Sequence, residues 1–588
     1  MPPPSVRPPK AKGGKTGGIR RVIIVVVLGL VAATLAANLL LLNPSSNAVE
    51  RVHQHTKNTE DSRTTRADEP QQSAGFPTGD PGATAAVSGV RRAGAACDVN
   101  IPELEPSWSR YFAEASWDAP SCGEPAHLAR VEARPGGALD VVENPGECAG
   151  VLMLSFVDPA SSNWTAVPVR GRAALPVDSA ILQCLRHEDE APRPDAPTQL
   201  ILHPLVDRAL LSRAQASEEA FRAWRASLSA HERSEVPALR PNILFVMVDS
   251  MSAQQMERGL PKTMEFLSEL EHAHSKTNIE DSGEGGFGGA RVFGFSRFNV
   301  VSSGTHNNVP AFLAGLKYAE LPGSWPDAAP FARDWLLDEA KRDGYVTGFI
   351  DGEHVSSKSS IPRVRLKTFE MNDAPEAVLY AARQLANRFA HHTVTNVMDR
   401  VLSLGPMRED KSFGSPSPAI CFAGELLFAR FAKYILSLFS AYPGAPKMVY
   451  FAAMDAHEPT LLRIRTIDRD LAAMLRTVTK PDADGRETVV VLAGDHGVWY
   501  GEYFDKSQLG RLESKLPALR ILLPPSILTA RPVFAESLLK NERQLATPLD
   551  LHSTLAHLLR ILRPPHPTPL REKRDFSRRD PETGVHTS

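Results

Sequence analysis

There is no excess of charge of either sign in this chain: 66 Lys and Arg stand against 68 Asp and Glu over 588 residues, a net charge of -2. Binding a nucleic-acid backbone draws on a clustered basic surface, so nucleic acid is excluded as an expected partner. Cysteine is scarce, at five residues, and none lies between Cys184 and Cys421. No internal repeat is visible. What is present is a length sufficient for a large core and more than one domain.

One long uncharged apolar run stands out, VIIVVVLGLVAATLAANLLLL at Val22–Leu42. It is close to the roughly 20 residues that span a bilayer. It is also longer than the apolar part of a cleaved signal, which remains the rival reading. Arg7, Lys10, Lys12, Lys15, Arg20 and Arg21 precede it with no acidic residue between them. That flank keeps residues 1–21 cytoplasmic and sends the rest across. The expectation is a single-pass type II membrane protein of the secretory pathway, in the Golgi or plasma membrane, with its body lumenal or extracellular. Cys97, Cys122, Cys148 and Cys184 fit that compartment as an even set forming two disulfides, with three pairings open and Cys421 left over as a buried thiol. Asn163, in Asn163-Trp164-Thr165, is the candidate glycosylation site.

Composition divides the rest. Residues 43–96, rich in Ser, Thr, Gly, Asp and Pro, read as a flexible stem. Residues 97–235 carry short apolar runs such as GVLMLSFV and WTAVPV, and read as a small disulfide-linked, strand-rich domain. From 236 to 562 short apolar runs alternate with helix-like stretches, the pattern of a mostly parallel α/β sheet flanked by helices. Residues 563–588 read as a disordered tail, EDSGEGGFGGARVFGF as a mobile loop, and His391-His392 as surface residues of a helix.

Several strand candidates end alike: PNILFVMVDS at Asp249, YVTGFIDGEH at Asp351, MVYFAAMDAH at Asp455 and His457, VVVLAGDHG at Asp495 and His496. In open α/β sheets ligands bind beyond the carboxyl ends of the strands, so these groups can meet in one crevice. A single strand-end Asp is ordinarily a turn or a helix cap, and Asp351 is read that way. Carboxylate and imidazole together are ordinary ligands for zinc or manganese, better matched to them than to calcium or magnesium.

The segments PNILFVMVDSMS, FNVVSSGTHNNVPAFLAGL, CFAGELLFARFAKYILSLFSAY, FAAMDAHE, VVVLAGDHGVWYG and ATPLDLHSTL together resemble the alkaline phosphatase/sulfatase superfamily. The nearest likeness is to its eukaryotic sulfatase-like family of unknown function, whose members are often single-pass and lumenal. The resemblance covers roughly Cys97 to Leu562 and implies an alkaline-phosphatase-like catalytic domain. It implies Thr305 as nucleophile and metal ligand, with Asp249, Asp495 and His496 as further ligands. Asp455, His457 and His552 are its candidates for a second metal or for substrate binding, so one or two ions are implied. Thr547 and Asp550 also give His552 a plain setting, as a helix start with a capping box. A sulfatase needs a Cys followed by Pro and Arg, which this chain does not have at that position.

The resulting expectation is a membrane-tethered, metal-dependent phosphoester hydrolase or phospho-group transferase acting on a phosphorylated glycan or lipid-linked substrate. His306, Asn307 and Asn308 stand where the family more often has Pro-Asn. That departure favours the alternative, a catalytically inactive relative serving as a binding or adhesion module.

Overall fold

The computed structural model describes residues 106–113, 122–134, 138–158, 164–193, 195–277, 289–316, 335–351, 390–394 and 420–564. The Val22–Leu42 run, the stem, Cys97 and Asn163 lie outside them. Among the described residues no helix is long and apolar enough to cross a membrane.

Seven antiparallel strands come first: β1 (Ala129–Ala133), β2 (Leu139–Glu143), β3 (Val151–Val157), β4 (Trp164–Val169), β5 (Arg172–Ala174), β6 (Ser179–Leu185) and β7 (Thr198–Leu202). They make two small sheets, ordered β1-β2-β5 and β4-β3-β6-β7. Alternate residues of a strand face opposite ways, and β6 uses both faces. Ala180 and Leu182 pack between the small sheets, while Ile181 and Leu200 enter the core that also holds Leu244 and Val246. The strand-rich segment therefore shares a core with the rest of the protein.

The main sheet contains β8 (Asn242–Val248), β9 (Arg291–Gly294), β10 (Val346–Asp351), β11 (His392–Val394), β14 (Lys447–Ala453), β15 (Thr488–Gly494) and β16 (Leu519–Leu523); β12 (Cys421–Phe422) and β13 (Glu425–Leu426) form a separate hairpin. Its order is β11-β10-β14-β8-β15-β16-β9. The first five strands in that order run parallel and β16 runs against them, so the sheet is mixed. Every residue of β8, β14 and β15 is buried. That is why they read as unbroken apolar runs: a parallel strand covered on both faces has no polar side to show. Helices among the described residues include α1 (Arg208–Ser227), α2 (Ala253–Gly259), α3 (Pro261–Thr277), α4 (Thr305–Ala314), α5 (Leu427–Ala441), α6 (Asp468–Val478), α7 (Gln508–Glu513), α8 (Pro532–Asn541) and α9 (Pro548–Ile561).

Four sequence expectations are corrected. Cys421 is not a spare thiol: it bonds Cys122 across 299 residues, while Cys148 bonds Cys184. The β12–β13 hairpin lies against the segment after Cys122, where a Cβ at Gly424 would sit 2.4 Å from the Pro125 backbone. Nearness in sequence was a poor guide because long-range packing decides which thiols meet. His392 is not a surface helix residue but the first residue of β11, buried between Asp178 Oδ2 at 2.6 Å and the Tyr442 hydroxyl at 2.8 Å. A three-residue strand has no period of its own and exists through its pairing with β10. Within the glycine-rich stretch read as a loop, Arg291–Gly294 is strand β9, paired antiparallel with β16. Arg563, placed by sequence at the head of the tail, pairs with Asp343 at 2.6 Å and Glu339 at 3.0 Å.

Candidate functional site

Because β8 lies between β14 and β15 and all three are parallel, their carboxyl ends share one edge. Val248 is in register with Ala453 on one side and Gly494 on the other. The next residues, Asp249 and Asp495, are therefore neighbours across a single strand spacing of about 4.8 Å. Ser250 turns the chain sharply after β8 with a left-handed φ of 65°, a conformation rarely adopted by a residue with a Cβ. Two hydrogen bonds hold that turn. Ser250 N donates to Asp495 Oδ1 at 2.9 Å, and its hydroxyl donates to Asp249 Oδ1 at 2.7 Å.

Thr305 arrives from the opposite side as the first residue of α4. Gly304 is the cap residue, at φ 85°, and offers no side-chain bond. The Thr305 hydroxyl is thus not used as a cap. It donates to Asp249 Oδ2 at 3.1 Å and lies 3.4 Å from His496 Nε2. Asn308 secures the approach: its Oδ1 accepts from Val301 N at 2.8 Å, and its Nδ2 donates to the carbonyls of Ser302 and Gly304 at 2.8 and 2.9 Å. The neighbouring Ser303 is exposed and accepts a bond from Lys515 Nζ at 3.0 Å.

His496 Nδ1 faces the Gly497 carbonyl at 2.8 Å. A carbonyl accepts only, so Nδ1 carries a proton, and Nε2 is the ring nitrogen turned to the carboxylates. Nε2 lies 3.4 Å from Asp495 Oδ2 and 3.9 Å from Asp249 Oδ1. Ligand atoms of Asp249, Asp495 and His496 all fall within 4.8 Å of one another. Two ligands of one tetrahedral zinc, each about 2.1 Å from the ion, stand about 3.4 Å apart. Asp495 Oδ2 is buried with no hydrogen-bond partner. Burial, and then the Asp249 charge beside it, push the Asp495 carboxyl above the usual carboxylate range. Two buried carboxylates, one orphaned oxygen and an imidazole nitrogen turned toward both fit a divalent cation.

Residues 401–581 match the model of a family described as "Protein of unknown function (DUF229)". The resemblance read from the motifs is borne out over that stretch. No curated protein matches the chain by sequence. Among solved structures, the integral membrane lipooligosaccharide phosphoethanolamine transferase A of Neisseria meningitidis is similar at 12% identity and a TM-score of 0.33, over 55% of each chain. The chain thus spans about half the length of that protein. An alkaline phosphatase superfamily protein of Vibrio parahaemolyticus is similar at 11% identity and a TM-score of 0.35, over 62% of this chain and 80% of that one. Phosphoglycerol transferase GacH of Streptococcus pyogenes is similar at 12% identity and a TM-score of 0.30, over 60% of this chain and 86% of that one. These are loose superpositions, and each activity named is that protein's own.

Among the described residues Asp455, His457 and His552 do not form a second metal group of this kind. Asp455 is buried 4.0 Å from Arg463 Nη2, and burial raises its carboxyl above the usual range, partly offset by that guanidinium. His457 Nδ1 lies 3.1 Å from the Tyr500 hydroxyl. His552 sits on α9 with Nδ1 3.1 Å from the Phe312 carbonyl, at the far end of α4 from Thr305. It packs so closely that a Cβ at Gly315 would lie 2.5 Å from its ring. The capping box expected at that helix is present, with Asp550 Oδ2 accepting from Thr547 N at 2.8 Å and from its hydroxyl at 2.7 Å.

Sequence reasoning missed two contributors. Ser250 was visible only as a letter beside Asp249. Tyr500 was visible only as part of the stretch after Asp495-His496. A brace forms around Glu513, whose carboxylate accepts from Arg258 at 2.9 and 2.6 Å, Ser252 at 2.9 Å and Tyr503 at 2.8 Å. It ties α7 to α2, and a Cβ at Gly497 would lie 2.2 Å from the Glu513 carbonyl. The turn after His496 is thereby held against α7.

Proposed function

We propose that this protein is a divalent-metal-dependent phosphoester hydrolase or phospho-group transferase with Thr305 as nucleophile. The observation that carries the reading is the meeting of the Thr305 hydroxyl with Asp249 and His496 at 3.1 and 3.4 Å, beside the orphaned Asp495 Oδ2. Asp249, Asp495 and His496 would hold zinc or manganese, with Thr305 beside them. Such a cation lowers the pKa of the hydroxyl and offsets charge building on the nonbridging oxygens.

Asp249 Oδ2 accepts the hydroxyl proton. Thr305 Oγ1 then forms a bond to phosphorus while the bond from phosphorus to the leaving oxygen breaks, and that oxygen takes a proton from water. Water or an acceptor hydroxyl next attacks phosphorus and loses its proton to solvent, the bond from phosphorus to Thr305 Oγ1 breaks, and Oγ1 takes back the proton held on Asp249. The first turn of α4 adds its partial positive charge where the anionic group binds. The Val22–Leu42 run and its basic flank support a lumenal, membrane-tethered setting, in which phosphorylated glycans or lipid head groups are the substrates at hand.

The test is an assay of the full chain on phosphomonoesters and phosphodiesters, with and without chelator, beside Thr305→Ala and Thr305→Ser. The expected result is loss of activity by about 10³-fold or more with chelator or Thr305→Ala, and partial retention with Thr305→Ser. Activity untouched by both chelator and Thr305→Ala overturns the reading.

A further inference from the structure

Three aromatic rings lead from solvent toward the site. Trp499, three residues after His496, is 46% exposed. Its ring meets Tyr500 edge-on, with centroids 5.9 Å apart and an interplanar angle of 84°. The Tyr500 ring is 5.3 Å from that of His457, and its hydroxyl reaches His457 Nδ1 at 3.1 Å. Tyr500 follows the carboxyl end of β15 and His457 that of β14, the two strands that flank β8 and its Asp249.

An indole left half in water forfeits much of the stabilisation its burial brings. The other exposed large apolar residues among those described are Val533, Leu539 and Leu545, all aliphatic and at or just beyond α8. None is near Trp499 in sequence. The residues after the pair are Gly501, packed against Pro459, and the exposed acid Glu502. An acyl chain needs a continuous apolar surface, and this loop shows one flat exposed ring, with the exposed acid Glu502 three positions on. A sugar ring matches it, with an apolar C–H face for the indole and hydroxyls that stay in water at its rim.

We propose that Trp499 determines specificity by stacking on the sugar ring of a sugar phosphate ester whose phosphate is held at Asp249, Asp495, His496 and Thr305. The proposal rests on the reading of that cluster as a phosphoester site. The ring neighbours the phosphate and takes no part in bond making.

The test compares binding of glucose 1-phosphate and mannose 6-phosphate with that of glycerol 3-phosphate, by calorimetry and saturation-transfer NMR, on the full chain with Mn²⁺ or Zn²⁺. The expected wild-type result is tighter binding of at least one sugar phosphate, with saturation reaching its ring protons. Trp499→Ala removes roughly 3- to 10-fold of that preference, the scale of one aromatic contact, and Trp499→Phe restores most of it. Equal affinity for sugar and glycerol phosphates, no binding of any of them, or an equal loss on all of them in Trp499→Ala overturns the proposal. So does an effect of Trp499→Ala confined to phosphatidylglycerol vesicles. Trp499-dependent sugar-phosphate binding without turnover of any ester separates the two readings: Trp499 keeps its role and the enzyme assignment falls.

Discussion

The Thr305 hydroxyl donates to Asp249 Oδ2 at 3.1 Å, joining the first turn of α4 to the end of β8 across 56 residues of sequence. That bond gives the hydroxyl a proton acceptor before any substrate arrives. It also leaves the carboxylate's other oxygen to Ser250.

Asp495→Asn separates function from stability at one position. Activity is expected to fall by about 10²–10³-fold or more, with bound metal lost on elemental analysis. The chelated variant is expected to melt no lower than chelated wild type, because one of two adjacent buried charges is gone. The folded value of this carboxyl is raised, so its favourable protonated form is present at acid pH and lost as pH rises past that value. The melting gap between the chelated proteins therefore widens with increasing pH. A gap that narrows contradicts the account.

Glu513→Ala breaks a brace in which the Arg258 and Glu513 side chains are only 18% and 5% exposed. Removing one partner of a buried pair costs about 3–5 kcal/mol. Urea unfolding should show a loss on that scale, and Glu513→Gln a smaller one because it keeps an acceptor. A change within about 0.5 kcal/mol, the range of an ordinary surface substitution, would remove the brace from the account.

Cys421→Ser opens the Cys122–Cys421 bridge, which closes a 299-residue separation. A loss of about 2–5 kcal/mol is expected, by denaturant unfolding, against an unbridged chain that has more freedom when unfolded. Mass spectrometry of the non-reduced digest checks the pairing directly. A Cys97–Cys122 peptide would refute it.

His391 is held well below the usual histidine range, to about 3, first by burial and then by the nearby Lys341 charge. Thr347 N donates to its Nδ1 at 3.1 Å, a bond available only to the unprotonated nitrogen. The unfolded chain takes up a proton near pH 6.5 and the folded protein does not, so stability falls as pH drops from about 6.5 toward 3. His391→Asn, which keeps an acceptor, should flatten that slope by up to roughly 1.4 kcal/mol per pH unit. Parallel stability–pH curves for variant and wild type would rule this out.

How much was legible in the sequence varies by residue. Asp249 and Asp495 were readable as strand ends because β8 and β15 are covered on both faces and so appear as unbroken apolar runs before an acid. Thr305 was readable only through its likeness to a family motif, since a threonine at a helix start is usually a cap. Ser250 and Tyr500 carried no signal of their own. Their parts depend on a left-handed turn and on a ring brought beside His457.

By itself the sequence determined the alternation of strand and helix, the acids after the apolar runs and the capping box at Thr547, because these depend on neighbours a few residues apart. Only the tertiary structure decided that β8 lies between β14 and β15, that Cys122 meets Cys421, and that His552 packs behind α4 while His496 faces Thr305. Strand order, thiol pairing and the meeting of site residues are set by packing between segments far apart in the chain, and no local pattern records which distant partner a segment will find.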